Sequence, residues 1–467
     1  VEGSLIVNTD SLRISKSEVS IGNDNLGWGE ILLSDDSYGN ELGLITSDDV
    51  ILAAQIGDST VGLAGQNPDT PIIKVDFLQN TTKIGKSQSI KSTVTGSSIL
   101  GGSFNLISGS NSVVGGGSNN NAYAPHDFIG GGYANFTSQL TNGGNTIVGG
   151  CQNGMSISNS TCVANFIGGG KSNCICGQIG WATIAGGYNH CIQINSAYTT
   201  IGGGNTNEIC QANQATIAGG RLNTIGKSSA ASDGASIGGG FCNQVGKTNG
   251  NALYATIAGG QCNQIQSTGV STTLWYSTIG GGCYNRVCNF ESTIAGGRNN
   301  VVSGCNSFIG GGYNNTHYSW RGGIVGGANN IVYGSCTFIV GNNISAYSSN
   351  YTYMNNACVI GTTRTNSLVE TSAKRHKECI VPIQTQLENI KNLKPVDFQW
   401  KENNKKDIGF IAEQVKEVYP NLVSYEENGE IHGVHYSKLT TVLTKAIQEQ
   451  QAQIDQLRLE INLLKNK

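Results

Sequence analysis

A serine and a lysine five residues apart, Ser372 and Lys377, stand in the basic run Thr371-Ser372-Ala373-Lys374-Arg375-His376-Lys377. A serine hydroxyl is a poor nucleophile until a base takes its proton, and a lysine in its neutral form can be that base. Lys374 and Arg375 set like charge beside Lys377, which favours the neutral amine. Four carboxylates, Asp127, Glu208, Asp233 and Glu291, are the whole acidic complement of residues 91–363. Glycoside hydrolysis generally needs two carboxylates about 5–9 Å apart. These four are too scattered to pair within one chain, which leaves only a site between chains. The 14 cysteines are dispersed, with no Cys-x-x-Cys; Cys174-x-Cys176 is the nearest approach. They read as free thiols acting as small hydrophobes, in keeping with assembly in a reducing compartment. Cys242 with Cys262, and Cys174 with Cys191, share a register, so disulfides between adjacent turns are the other reading. No metal site and no cofactor are expected. Aromatic and cationic side chains that could stack on a sugar or anchor an interface are Trp181, Tyr198, Trp275, Tyr276, Trp320 and Arg321. They fall in the longer segments between repeats, and covering solenoid edges is an equal reading of them.

What positions these residues is a repeat. Between Ile99 and Asn330 the sequence restates Ile-x-Gly-Gly-x-x-Asn, as in Ile217-Ala-Gly-Gly-Arg-Leu-Asn223 and Ile309-Gly-Gly-Gly-Tyr-Asn-Asn315. Fourteen copies, the second starting at Val113, all keep both glycines; thirteen keep the Asn, and His190 replaces it in the other. The spacing runs from 14 to 22 residues. A minimum circumference with optional loops predicts a β-solenoid, with two short strands per turn of about 15 residues. One strand is the apolar-Gly run, such as Thr293-Ile294-Ala295-Gly296. The other follows the Asn, as in Val301-Val302. Glycine reaches positive φ without strain and admits close backbone approach, and the Asn is expected to tolerate the left-handed conformation and to cap a corner with its side-chain amide. Stacked copies would form Asn and Ile ladders along the coil. Fourteen turns at ~4.8 Å give a rod of roughly 70 Å. A phosphate-binding loop is excluded, because such loops need a following helix, and β-type sequence follows each copy here.

Composition sets further bounds. The chain has 467 residues, 66 Gly against 6 Pro and a net charge of −3. This argues against disorder and shows no nucleic-acid footprint. No run of ~18 apolar residues would span a bilayer, and no signal peptide opens the chain, although the initial Val suggests a fragment or a processed product. Residues 91–363 hold 12 charged side chains and residues 364–467 hold 29, which marks a boundary near Arg364. The expected organisation is an acidic β module over 1–90, the solenoid over 91–363 and a third domain over 364–467. Degenerate repeats at Ile339-Val-Gly-Asn342 and Val359-Ile-Gly361 would close the solenoid. Near the C-terminal end, Ile447, Gln450, Ile454, Leu457, Ile461 and Leu464 step by 3 and 4, as in a short coiled-coil seam. An ordinary amphipathic helix is the other reading of that segment.

Two resemblances extend this reading. The repeats resemble the head of trimeric autotransporter adhesins, left-handed β-rolls in which three chains pack side by side; the membrane-anchor barrel of those adhesins is absent. Residues 372–467 resemble the intramolecular chaperone domain of phage endosialidases and related tail fibres. The matching stretches are Thr371 to Lys377, Leu393-Lys-Pro-Val-Asp-Phe-Gln-Trp400, Ile408-Gly-Phe-Ile-Ala-Glu-Gln-Val415, Val418-Tyr-Pro-Asn-Leu-Val423 and Gly433-Val-His-Tyr-Ser-Lys-Leu439. That resemblance implies a trimeric clamp that folds a fibre and then cleaves itself off, with Ser372 as nucleophile and Lys377 as general base. Ala373 stands where the family usually has Asp, and His376 where it usually has an apolar residue. A polar linker with no catalytic role is the alternative for this run.

The expected fold is therefore mostly β, a trimeric solenoid fibre with an α-rich chaperone domain ending in a coiled coil. The expected function is a virion or tail-fibre protein, or a cell-surface adhesin, that binds a host glycan or protein receptor. Its one enzymatic activity would be on its own chain, as a self-cleaving serine peptidase. A glycan-cutting tailspike is the competing reading.

Overall fold

The computed structural model describes backbone for residues 40–45, 50–57 and 60–64, then 73–76 and 78–466 with short gaps at 138–142, 159–163, 227–230, 247–250, 268–272, 358, 360–362, 364, 368 and 427. The expected strands at 4–7 and 30–33 lie outside the described residues. The chain divides into a unit ending at Cys358 and another from Val359 to Lys467.

The first unit opens with an antiparallel meander, Asn40–Ile45, Val50–Gly57, Thr60–Ala64 and Ile73–Asp76, which pairs with Thr81–Ile84. Thr81–Ile84 also pairs in parallel with Ser98–Ile99, so the last strand of the meander is the first rung of the solenoid. The parallel ladder thus begins ahead of residue 91. It continues through Thr352–Met354, while Val359 is exposed.

Each full turn contributes to three parallel ladders. The first carries the motif isoleucines, such as Ile279 on Ile294 on Ile309. The second carries the strand after the Asn, such as Val287 on Val302 on His317. The third is a row of single bridging residues just after the glycines, such as Cys283 to Arg298 to Tyr313. The strands are only two to four residues long, because a turn of 15 residues must change direction three times. The side chain before each motif Ile faces out and the Ile faces in, by the two-residue alternation of a strand. Ile99, Ile129 and the successive Ile residues to Ile339 are fully buried. Each is worth ~1.5–3 kcal/mol relative to exposure.

The register corrects one repeat boundary. Ile99 pairs with Val114, not Val113, and Asn120 rather than Asn119 joins the Asn row. The first spacing is therefore 15, not 14; two adjacent valines and three adjacent asparagines made the reading ambiguous.

The Asn side chain caps and stacks as expected, but its backbone conformation differs. It does not take the left-handed corner; the residue before it does, as with Leu222 (φ 57°), Cys262 (φ 53°) and Asn299 (φ 57°). The Asn itself is buried and wires one turn to the next. Asn300 Nδ2 donates to the carbonyls of Gly296 and Gly312 at 3.1 and 3.0 Å, and its Oδ1 accepts from the Asn315 backbone N–H at 3.0 Å. His190 keeps the same connection, accepting from the Asn207 N–H on Nδ1 at 3.0 Å. These bonds satisfy backbone groups that burial would otherwise leave unpaired.

The two motif glycines also differ. The second, Gly297, has φ 86°, and an added Cβ would lie 2.2 Å from the Gly312 carbonyl oxygen. The first, Gly296, would meet nothing within 4 Å.

In the second unit, a strand pair Val396–Gln399 with Lys406–Gly409 precedes the helix α1, Ala412–Val418. A second pair, Val423–Tyr425 with Ile431–Val434, leads into the 30-residue helix α2, Tyr436–Lys465. Val415, Leu422, Val423, Leu439 and Val442 form its core. Among the described residues no helix is long and apolar enough to cross a membrane.

Candidate functional site

A single 3-10 turn, Lys374–His376, brings Ser372 and Lys377 together. The turn closes through His376 N–H to the Ala373 carbonyl and Lys377 N–H to the Lys374 carbonyl, both at 3.0 Å. Residues five apart would be ~17 Å apart in extended chain; here Lys377 Nζ donates to Ser372 Oγ at 2.7 Å. Both side chains are exposed. For Lys377 to act as a base, this contact must run the other way, with the Ser372 hydroxyl donating to the amine. A general-base lysine is produced by desolvation or by nearby positive charge. Lys374 and Arg375 supply the charge, and a single chain does not supply the desolvation.

The helix α2 is buried only at its start, through Leu439, Val442 and Ala446. Beyond that the seam positions face solvent: Ile447, Leu457 and Leu464 are more than half exposed, and Ile454 and Ile461 are also exposed. Glu449, on the same helix, accepts from the backbone N–H groups of Gln386 and Leu387 at 2.9–3.1 Å, which holds its carboxyl below the usual range.

The six candidate binding residues of the solenoid fall mostly on one corner row, not on inserted loops. Trp181, Tyr198, Tyr276 and Arg321 each occupy the left-handed position two residues before a first-ladder strand, with φ of 53–59°. Trp275 and Trp320 directly precede two of them. Tyr198 N–H bonds the Gly180 carbonyl and Arg321 N–H the Cys305 carbonyl, so the row is fixed by backbone hydrogen bonds between turns. Trp181 stacks on Tyr198 with centroids 4.9 Å apart and planes 3° apart, and Tyr276 stacks on Tyr254 at 5.4 Å. Trp275 meets Tyr276 edge-on at 6.4 Å. Trp320 is 65% exposed. The structure also shows a row that the sequence reading did not single out as a set: Tyr318, Tyr333 and Tyr347, on three successive turns, stack at 5.4 and 5.0 Å. Their common position, directly after the second-ladder strand, was the available signal.

The four solenoid carboxylates are each engaged separately. Asp127 is buried, which raises its carboxyl, and it accepts from Ala124 and Asn145. Glu208 accepts from Gln193, Asp233 from the Asn213 N–H, and Glu291 from Asn306. This is turn-to-turn wiring.

The described cysteines are free thiols. Cys174 and Cys191 are direct partners in the second ladder, as their register implied. Cys176, two residues on and on the same face, joins them, and the three Sγ atoms lie within 4.8 Å of one another. Hydrogen bonds from Cys174 and Cys191 draw the Cys176 thiol down to about 3. The hydrogen bond to Cys176 drives Cys174 up to about 11, and those to Cys174 and Cys176 push Cys191 up as well. Spacing along the chain does not reveal the cluster, because Cys191 sits one turn away from Cys174 and Cys176.

No curated protein shows significant similarity to the chain. Residues 372–424 match the family model for the chaperone of endosialidase, Peptidase S74. That span starts at Ser372, contains the dyad and runs through helix α1 into the second strand pair. Behind its β-solenoid, the chain therefore carries a chaperone-of-endosialidase domain.

Proposed function

We propose that this is a trimeric fibre protein that binds a host-surface receptor, and that its C-terminal domain assembles the fibre and then cuts itself away. The observation that carries the reading is the 2.7 Å contact between Lys377 Nζ and Ser372 Oγ at the first residue of the family match. In the cleavage step Lys377, once neutral, takes the Ser372 proton as the hydroxyl oxygen attacks an adjacent backbone carbonyl carbon. The peptide nitrogen leaves with a proton, and water then hydrolyses the ester. A neighbouring chain covering the exposed dyad would remove water from the ammonium and favour the neutral amine. Cleavage would then wait for assembly.

Two features support self-association. Among the described residues the seam of α2 from Ile447 to Leu464 stays exposed, as expected of a helix awaiting copies of itself. The first motif glycines are kept in all fourteen repeats, and at Gly186, Gly219, Gly259 and Gly296 a Cβ would meet no atom of the described residues within 4 Å. For receptor binding, the exposed rings of the corner row and the tyrosine row offer faces and edges suited to sugars or to a protein surface. No pair of solenoid carboxylates favours a glycan-cutting enzyme.

The test is a gel and mass spectrum of wild type beside Ser372→Ala and Lys377→Ala. Wild type releases a fragment of about one hundred residues, and its first residue, Ser372 or Ala373, identifies the bond cut. Both variants stay full length. Equal cleavage of the variants would assign the cut to an outside protease. A glycan array probed with the full chain tests the receptor reading, and loss of signal in Trp181→Ala and Trp320→Ala would place the contact on the corner row.

A further inference from the structure

The cluster of Cys174, Cys176 and Cys191 lies far in sequence from the dyad and outside the corner row, and nothing in the fold requires it. Its positions are fixed by backbone. Cys174–Gly177 and Cys191–Gln193 are parallel neighbours in the second ladder, with Cys174 opposite Cys191. Ile175 and Ile192 point into the core and are fully buried, which turns all three cysteines to the outer face. There they are half-buried, open to a small solute but not set out in bulk solvent. On the preceding turn Gly154 is the partner of Cys174. On the following turn Glu208 is held by Gln193, with the amide donating at 2.9 Å.

Three sulfurs around one metal at a bond length of about 2.3 Å stand roughly 3.8–4.0 Å apart. The three here already lie within 4.8 Å of one another, so small rotations of side chains on a rigid ladder would close the site. Only sulfur donors make up the cluster. Such a set selects soft ions over magnesium, calcium or manganese. A disulfide would use two of the three and leave the third unmatched.

We propose that Cys174, Cys176 and Cys191 bind one thiophilic d10 metal ion per chain, of the Cu(I) or Zn(II) class. Cu(I) is satisfied by the three thiolates. Zn(II) completes its shell with water. The ion staples two adjacent turns on the outside of the solenoid.

The experiment uses the full chain, reduced and metal-free under anaerobic conditions. One arm titrates Cu(I) against bicinchoninate, the other Zn(II) against a chromophoric chelator. The comparison is with the Cys174→Ser/Cys176→Ser/Cys191→Ser variant and with Cys242→Ser/Cys262→Ser, which removes another register-matched pair. Wild type and the Cys242/Cys262 variant take up one equivalent more of at least one ion than the triple variant does. Thermal melting of wild type rises on adding that ion, and that of the triple variant does not. If the triple variant melts early without metal, the single change Cys176→Ser decides, since one exposed-face hydroxyl cannot unfold the ladder; it too loses the equivalent. Equal uptake of both ions by wild type and these variants overturns the proposal. So does a loss of uptake that is as large in the Cys242/Cys262 variant.

Discussion

Replacing His317 with valine should stabilise the solenoid in acid and abolish part of its pH dependence. His317 lies in the second interior column, with Val302 and Val332 as its partners on adjacent turns. It is fully buried, and neither ring nitrogen has a hydrogen-bond partner. The surrounding backbone is tight: a Cβ on Gly322 would come 2.7 Å from Nε2. Burial pushes the imidazole pKa from its ordinary 6.5 down to about 4; the backbone of Ser319 and Thr337 lies near enough to pull weakly upward but not in hydrogen-bond geometry. The folded protein therefore resists the proton that the unfolded chain accepts. Above pH 6.5 both states are neutral and the ring has no pH effect. As pH falls from 6.5 towards 4, only the unfolded state binds a proton, so stability declines by about 1.4 kcal/mol per pH unit. Below about 4 the loss levels off, at roughly 3 kcal/mol in all. At neutral pH the variant also removes a buried polar ring without partners, worth about 1–3 kcal/mol. The assay is denaturant unfolding of wild type and His317→Val at half-unit steps from pH 7.5 to 3.5. His190 and the carboxylates titrate in both proteins, so the difference between the two curves isolates His317. The difference should widen in favour of the variant between pH 6.5 and 4 and then become constant. Parallel curves over that range would refute the reasoning, because they would mean the ring is solvated or paired in the folded state.

Three further outcomes follow from the ladders and the domain order. Asn300→Ala removes the acceptor of the Asn315 N–H and leaves that donor buried without a partner. Together with the lost donor bonds to Gly296 and Gly312, this should cost about 2–4 kcal/mol by denaturant unfolding, and a cost below 0.5 would deny the Asn row its role. Gly297→Val places a Cβ against the Gly312 carbonyl and should prevent folding, whereas Gly296→Val should keep the single-chain fold and lose chain association; circular dichroism with sedimentation separates the two. Residues 1–371 expressed alone should be mostly insoluble, since a parallel solenoid closes non-local contacts slowly and exposes edges meanwhile. Soluble, heat-resistant trimer from that truncation would remove the need for the C-terminal domain.

The parts of the fold legible in the sequence were those that repeat. The isoleucine row, the two-strand turn and the buried Asn row all follow from one spacing, because stacking demands the same residue at the same angular position on every turn. The left-handed corner was not legible. It is occupied by Leu222, Cys242, Cys262 and Tyr284, whose intrinsic preferences oppose it, and the hydrogen-bond ladder overrides those preferences. Cys262 N–H bonds the Phe241 carbonyl and Tyr284 N–H the Gln261 carbonyl, so each corner is imposed by the turn before it. The two kinds of candidate site differ for the same reason. Ser372 and Lys377 meet across one local 3-10 turn, so their spacing of five was informative along the chain. Cys174 and Cys191, or Trp181 and Tyr198, meet across a turn of 17 residues, at a distance no local motif encodes. In a solenoid the neighbour of a side chain lies one circumference away. Chemistry on this rod must therefore be sought down the columns, where three thiols, two stacked rings or three tyrosines become adjacent only once the register is known.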